Sequence, residues 1–193
     1  MPIPMPDYVR WVLAVILAAS TVLLYFSATL EWWVMEVHDL HSNRWSWLHI
    51  YAYGLVHNMS ELRQFVTRHE TPPPLMAAAQ AFTMGLVVLT GAAAVLVALR
   101  KRWVWKITLS VGLVYLFYSL AFIPVLEEGT RTAPRPVPMQ GDIIEYMYEY
   151  TVRIITYFAP GYYLAVASSI LLIALSLVLL WWSRRAAPAG SQP

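Results

Sequence analysis

The sequence predicts an all-α membrane protein, a four-transmembrane-helix bundle that carries a small extracellular antiparallel β-sheet. Two observations predict the helices. Of the 193 residues, 59% are hydrophobic and only 12% are charged, about half the charged share of an average soluble domain. Four apolar stretches are each long enough to cross a bilayer, which takes about 20 residues. A third observation, the alternation of aromatic residues in the first long loop, predicts the sheet.

The four apolar stretches belong to a single domain covering residues 1–193. None of them contains Asp, Glu, Lys, Arg or His between its ends. Tryptophan and tyrosine flank them, as is typical where hydrocarbon meets headgroups. The first stretch runs into Trp32 and Trp33 and not into a small-residue cleavage site, so we interpret it as a retained helix and not as a signal peptide. The predicted helices are 11–30, 75–99, 107–126 and 154–182.

Basic residues predict the orientation of these helices. In the N-terminus, the 100–106 connection and the C-terminus, Lys and Arg lie close to helix ends, whereas in the two long loops they are spread among acidic residues. Basic residues concentrate on the cytoplasmic side of membrane proteins. We therefore expect a multi-pass protein of the cell (plasma) membrane with both termini and loop 100–106 in the cytoplasm. Loops 31–74 and 127–153 then face outside.

The first outer loop contains a clear alternating pattern. Large aromatic or histidine residues occupy every second position from Trp45 to Tyr53, which predicts a strand with one aromatic face. Residues 31–38 are a plausible partner strand. Residues 39–44 would form the turn between them, since Ser42 and Asn43 favour turns.

The second outer loop has a similar stretch, in which Ile144, Tyr146, Tyr148, Tyr150 and Val152 share one face of a strand. We favour an extra strand that pairs with the hairpin of the first loop. The alternative is an upward extension of the fourth helix. Trp and Tyr dominate the energetics of protein interfaces. The candidate interaction residues of the two loops are Trp45, Trp47, Tyr51, Tyr53, Tyr146, Tyr148 and Tyr150.

All five histidines lie in the first outer loop. His38 and His41, together with Glu36 and Asp39, are candidate ligands for zinc or copper, which imidazole and carboxylate suit. On a strand, however, His38 and His41 would point in different directions, and we favour a polar turn over a metal site.

Asn58 offers two further interpretations. Asn58-Met59-Ser60 matches the N-glycosylation pattern. The same asparagine, with Glu61 three residues later, would cap a short helix. The two uses compete for one side-chain amide.

Small residues on the second helix follow a small-xxx-small spacing at Ala77, Ala81 and Gly85. Such spacing lets two helix backbones approach closely. We favour packing of this ladder inside the bundle, with contact to another subunit as the alternative.

Several functional classes are excluded or disfavoured. The absence of cysteine excludes disulfides, thiolate metal sites and iron–sulfur ligation. The spans contain no histidine to hold a haem and no charge to mark an ion path. A net charge of +2 leaves no nucleic-acid footprint. We expect no cofactor. The expected partners are membrane lipid and other membrane protein subunits or further copies of the chain.

The plan of four spans, a strand-bearing first outer loop, a short basic connection and a smaller second loop resembles the claudin/PMP22-type tetraspan family. Trp33, Trp45 and Trp47 resemble the tryptophans in that family's first loop. Gln80-Ala81-Phe82 is similar to its second span, and Gly161-Tyr-Tyr-Leu-Ala to the opening of its fourth. The chain departs from the family pattern before Trp47, where Trp45-Ser46 replaces Gly-Leu, and it lacks the family's cysteine pair.

These observations together favour a non-enzymatic membrane protein that acts by protein–protein contact, either a claudin-like surface or adhesion protein or an accessory subunit of a membrane complex. One alternative is a subunit of a membrane redox enzyme with a metal or quinone site built from the outer histidines. A second alternative is a channel, which would need oligomerisation because a single bundle has no charged lining.

Overall fold

The computed structural model describes residues 5–59, 72–101, 103–147 and 150–185. At positions 147 and 150 it describes the backbone but not the side chain. In the described residues, four helices are long and apolar enough to cross a membrane. This confirms the prediction of four such helices. Their bounds are α1 Asp7–Thr29, α2 Pro73–Ala98, α3 Val104–Arg131 and α4 Pro160–Arg185.

The described strands form one five-stranded antiparallel sheet in the order β3-β2-β1-β5-β4. The predicted hairpin of the first loop is confirmed, with Asp39 opposite Arg44 at its turn. The Asp39 carboxylate accepts hydrogen bonds from the backbone N–H groups of His41 at 2.8 Å and Ser42 at 3.2 Å. The strand bounds are β1 Glu31–Asp39, β2 Arg44–Tyr51, β3 Gly54–His57, β4 Gly141–Met147 and β5 Tyr150–Phe158.

The second outer loop joins the same sheet, but as two strands and not one. β5 pairs with β1, and β4 pairs with β5. The predicted shared face of residues 144–152 is wrong, because Tyr146 is 85% exposed while Val152 lies in the core at 2%. The antiparallel pairing of Met147 with Tyr150 reverses the chain inside the alternating stretch. Tyr148 lies outside the described residues.

The predicted start of the fourth helix at residue 154 is also wrong. Residues 154–158 are the end of β5, and α4 begins at Pro160. Proline suits the first position of a helix, since its φ angle is already helical and its missing N–H would have no partner there. The apolar run from Ile154 continues into the helix, so hydropathy alone does not separate the two elements.

The chain divides into two compact units. One comprises residues 1–25, 84–117 and 165–193, and the other comprises residues 26–83 and 118–164. In the first unit α3 packs closely on α4, since a Cβ at Gly112 would lie 3.1 Å from the backbone nitrogen of Ile173. The second unit contains the sheet and a core that includes Trp33, Met35, Leu48 and Ile154.

The open aromatic face of the sheet

The sheet has one face in the core and one face outside it. Trp33, Met35 and Val37 on β1 and Leu48 on β2 are buried in the core of their unit. Because successive side chains of a strand point to opposite faces, the residues between them lie on the other side, which we call the open face. The open face comprises Val56 on β3; Trp45, Trp47, His49 and Tyr51 on β2; Val34, Glu36 and His38 on β1; Thr151, Arg153, Ile155 and Tyr157 on β5; and Asp142, Ile144 and Tyr146 on β4. Val34 is the member of this face that its neighbours bury, at 3% exposed.

The predicted aromatic row runs along the open face. The ring of His38 stacks on Trp45 with centroids 4.1 Å apart and planes at 5°. Along β2 the row continues from Trp47 to His49 at 4.7 Å, and beyond it the rings of Tyr51 and Tyr53 stack at 5.3 Å. Trp45 is 50% exposed. The prediction of one aromatic face is confirmed from Trp45 to Tyr51, and that face lies away from the core; the predicted strand ends at Tyr51, however, and Tyr53 lies in the turn before β3.

Two tyrosines of the open face are hydrogen-bonded to carboxylates. Tyr51 donates its hydroxyl hydrogen to Glu31 at 3.4 Å, and Tyr157 donates to Glu36 at 3.2 Å. Partial burial, and then the nearby carboxylates, raise the pKa of the Tyr51 and Tyr157 hydroxyls above the ordinary value. Both phenols are therefore neutral hydrogen-bond donors at physiological pH, which suits an interface that combines aromatic area with polar contacts.

An irregularity in β1 explains why Glu31 is available to the open face. The register shifts between Glu31 and Trp33, so that Glu31 lies opposite Tyr51 while Trp33 lies opposite Ile50. One extra residue in a strand is a β-bulge, and it changes which face the preceding side chains occupy. As a result Glu31 reaches to within 3.5 Å of His49 Nδ1. Trp32, which lies between Glu31 and Trp33 in the sequence, is buried and donates its indole N–H to the Ser27 carbonyl at 2.7 Å.

The predicted metal ligands are not gathered into a site. His38 Nε2 lies 2.8 Å from the Asn43 side-chain oxygen, and its ring is stacked on Trp45. His41 is exposed. In the residues that the structure describes, no group of three or more His, Asp or Glu side chains could hold a metal ion.

Asn58 extends the sheet. Its side-chain oxygen accepts the Trp47 N–H at 2.6 Å, and its own N–H donates to the Trp47 carbonyl at 3.1 Å. The residue is exposed. Ser60 of the glycosylation pattern and Glu61 of the predicted helix cap lie outside the described residues. Both interpretations of Asn58 therefore stay predictions.

Contrary to our expectation, the small residues of the ladder on α2 do not pack inside the bundle. Ala77, Ala81 and Gly85 are all exposed. A Cβ added at Gly85 would meet no atom within 4 Å. The ladder therefore lies on the outer side of α2, where lipid or another subunit could contact it.

Comparisons with known proteins add no relative. No model of a known protein family matches the chain, and no curated protein matches it.

Sequence reasoning missed several residues of the open face. Glu31, Tyr157, Arg153 and Asp142 were not among the predicted interaction residues, although Tyr157 and Arg153 are at alternate positions of β5. The alternation of residues 153, 155 and 157 could have indicated a strand, but Ile and Tyr there also fit the start of an apolar helix.

The ion pair between Arg153 and Asp142 on the open face makes the stability of the fold depend on pH. Arg153 contacts Asp142 through two nitrogens at 2.9 Å and 2.5 Å, and the hydrogen bonds from Arg153 lower the pKa of the Asp142 carboxyl. A lowered folded-state pKa stabilises the fold above the unfolded value, about 3.9, and this stabilisation is lost as pH falls through the folded-state pKa.

We therefore expect Asp142→Asn to reduce the acid sensitivity of unfolding below about pH 4. The measurement is the thermal midpoint of both proteins at a series of pH values in one detergent. Glu128→Gln is the comparison variant. It removes an exposed carboxylate that is paired with Arg131 on α3, and so shows how the loss of an exposed ion pair outside the sheet affects the thermal midpoint. Identical acid profiles for wild type and Asp142→Asn would contradict the assignment.

Proposed function

We propose that this chain is a non-enzymatic membrane protein that acts by protein–protein contact, with the open face of the sheet as its docking surface. The observation that carries the proposal is the aromatic row of β2 on the face of the sheet opposite the core, where Trp45 stacks on His38 and Trp47 contacts His49. Tryptophan and tyrosine supply large contact area and are enriched among the residues that dominate binding energy. Exposed apolar area of this kind marks interaction sites.

The edge of the sheet widens this surface. On β4, Ile144 is 58% exposed and Tyr146 is 85% exposed, and both lie on the open face. Asp142 and Arg153 lie beside them and satisfy each other's charge. A partner that covered the open face would thus bury aromatic and aliphatic area at both ends of it. It would also cover the carboxylates of Glu31 and Glu36, which accept hydrogen bonds from Tyr51 and Tyr157, and a partner that offers basic or hydrogen-bond-donating groups there would offset the cost of burying them.

The proposed topology follows the distribution of basic residues. Both termini and the 100–106 connection lie in the cytoplasm, and the sheet lies outside the cell membrane. The partner is then another membrane protein or a second copy of this chain. The exposed small-residue ladder of α2 supports such an assembly, because small residues let the helix of another subunit approach closely.

The proposed likeness to the claudin/PMP22-type plan rests on the four helices and the antiparallel sheet that both loops build. That family's cysteine pair is absent from this chain. Other contacts tie the second loop to the first here. The Trp33 indole donates to the Met139 carbonyl at 2.6 Å, and β1 pairs with β5 from Trp33 to Asp39.

We expect Trp45→Ala and Trp47→Ala to weaken partner binding by at least about 30-fold, the effect of losing an interface anchor worth about 2 kcal/mol. The measurement is the mass of the complex after gentle extraction from its own membrane, with every co-purifying chain identified and quantified. Trp103→Ala is the matched control, because Trp103 is 49% exposed and is not part of the sheet.

The outcomes of that experiment separate the functional classes. Loss of partners in both variants of β2, with retention in Trp103→Ala, supports the proposal. Retention of all partners at native stoichiometry in both β2 variants overturns it. Co-purifying subunits that carry haem or metal would make the chain an accessory subunit of a redox enzyme, and a complex of identical chains would favour adhesion or an oligomeric channel.

A further inference from the structure

A cavity of about 260 Å³ lies in the unit that comprises residues 1–25, 84–117 and 165–193. Its walls come from the start of α1, the end of α2, the start of α3 and the end of α4. The buried side chains of Val97, Val104 and Leu179 line part of it. Trp105 and Trp182, which also line it, are half-buried. One part of the cavity is therefore apolar and aromatic.

The other part of the cavity wall is cationic. Arg10, Arg100 and Lys101 line it. Asp7 is the acid that the described ion pairs bring to these side chains, and its Oδ1 lies 3.1 Å from Arg10 and 3.0 Å from Arg100. Asp7 thus shares its single negative charge between two guanidinium groups, and Lys101 adds a third positive charge. Positive charge is therefore in excess beside the cavity. Such an arrangement attracts an anion.

Arg10 has unused hydrogen-bonding capacity at this place. Its side chain is only 12% exposed, and its Nε atom is buried without a hydrogen-bond partner in the structure. A buried donor without a partner is costly, and more so when the group is charged. An anionic oxygen in the cavity would be a suitable acceptor, because guanidinium groups match the geometry of phosphate oxygens.

The backbone of Arg100 supplies a second, independent observation. Its φ angle is +61°, a left-handed conformation that usually belongs to glycine at this place. The Arg100 N–H donates to the Val97 carbonyl and the Lys101 N–H to the Leu96 carbonyl, both at 3.0 Å. These two bonds are the Schellman motif that ends many helices, in which glycine is preferred. An arginine here destabilises the backbone while it adds a charged side chain to the cavity.

We propose that this cavity binds the phosphate of an anionic phospholipid. Arg10, Arg100 and Lys101 would contact the phosphate, and the apolar wall would contact the adjoining ester and first methylene groups. A lipid is favoured over a soluble phosphate because the cavity lies at the ends of helices long and apolar enough to cross a membrane. Tryptophans such as Trp105 and Trp182 settle at the level of the headgroups, and basic pockets between helices suit anionic headgroups.

The test uses the full chain in a neutral detergent. Phosphatidylglycerol or phosphatidylcholine with identical acyl chains is added, and lipid adducts are counted by native mass spectrometry while the thermal midpoint is measured. We expect phosphatidylglycerol to bind and to raise the midpoint, and phosphatidylcholine to do neither. Raising the salt concentration should weaken the effect, because the attraction is between charges.

Two variants and one control locate the binding site. Lys101→Gln and Arg100→Gly should each weaken phosphatidylglycerol binding about fivefold, the usual effect of one basic residue on an anionic lipid. Arg100→Gly should also raise the thermal midpoint without lipid, since glycine suits the left-handed position. Arg184→Gln removes the same charge from an exposed position of α4 that does not line the cavity, and should leave binding unchanged.

The opposite results overturn the proposal. Equal binding of the two lipids, or equal loss of binding in Arg184→Gln and the two cavity variants, would show that no site of this kind exists. Glycerol 3-phosphate is tested in parallel. If it stabilises the protein as much as phosphatidylglycerol at the same concentration, the cavity binds a soluble phosphate and the lipid proposal is wrong. The proposal does not depend on the open face, so either can fail without the other.

Discussion

Replacing Gly161 by alanine is expected to destabilise the protein by about 2–3 kcal/mol or to prevent correct folding. A Cβ at Gly161 would lie 2.5 Å from the Glu31 carbonyl oxygen and 2.6 Å from that of Leu30. Both atoms belong to the backbone at the junction of α1 and β1. Because neither can rotate away as a side chain would, the backbone of α4 or of this junction must shift.

Gly85→Ala is the matched control for this prediction. Gly85 also lies within a helix, but a Cβ there would meet nothing within 4 Å. Alanine favours a helix interior over glycine by about 0.5–1 kcal/mol, so this variant should be slightly stabilised. The measurement is the thermal and denaturant unfolding of both variants in one detergent. A Gly161→Ala protein with wild-type stability would show that the close approach of α4 to Leu30 and Glu31 is absent.

The second large effect is expected at Trp33, where substitution by alanine should cost about 3–5 kcal/mol. Trp33 is fully buried and belongs to the core that also includes Met35 and Leu126. Its indole N–H donates to the Met139 carbonyl at 2.6 Å. The substitution therefore leaves a cavity and a carbonyl without its donor, and both effects act in the same direction.

Trp45→Ala is the comparison for Trp33→Ala. Trp45 is half exposed on the open face, so its removal should change the unfolding free energy by less than about 1 kcal/mol. Unfolding followed by tryptophan fluorescence and by circular dichroism measures both variants. If the two variants are destabilised equally, the assignment of one face to the core and the other to the surface is wrong.

The sequence predicted those parts of the fold that depend on local pattern. The four helices follow from uninterrupted apolar stretches, and the β1–β2 hairpin follows from the alternation of residues 45–53 with Ser42 and Asn43 in the turn. β3 was not predicted, since Gly54–His57 is only four residues long and shows little periodicity. The start of α4 was wrong because residues 154–158 are as apolar as the helix that follows.

The two sides of the sheet could not be assigned from the sequence. β2 carries Leu48 and Ile50 on one face and aromatic residues on the other, and the choice of Leu48 and Ile50 for the core depends on contacts with distant residues such as Leu126 and Val137. The exposure of Ala77, Ala81 and Gly85 depends likewise on how α2 is rotated about its axis. Neither property is encoded in the spacing of the residues concerned.

The position of β1 in the sheet has a consequence for the order in which the chain folds. β1 pairs on one side with β2, only a few residues later in the chain. On its other side it pairs with β5, about 120 residues later, from Trp33 opposite Phe158 to Asp39 opposite Val152. Pairing of such distant segments is slow. During synthesis the hairpin of the first loop therefore presents an unpaired, apolar strand edge until β5 has been made, and such edges pair readily with other chains.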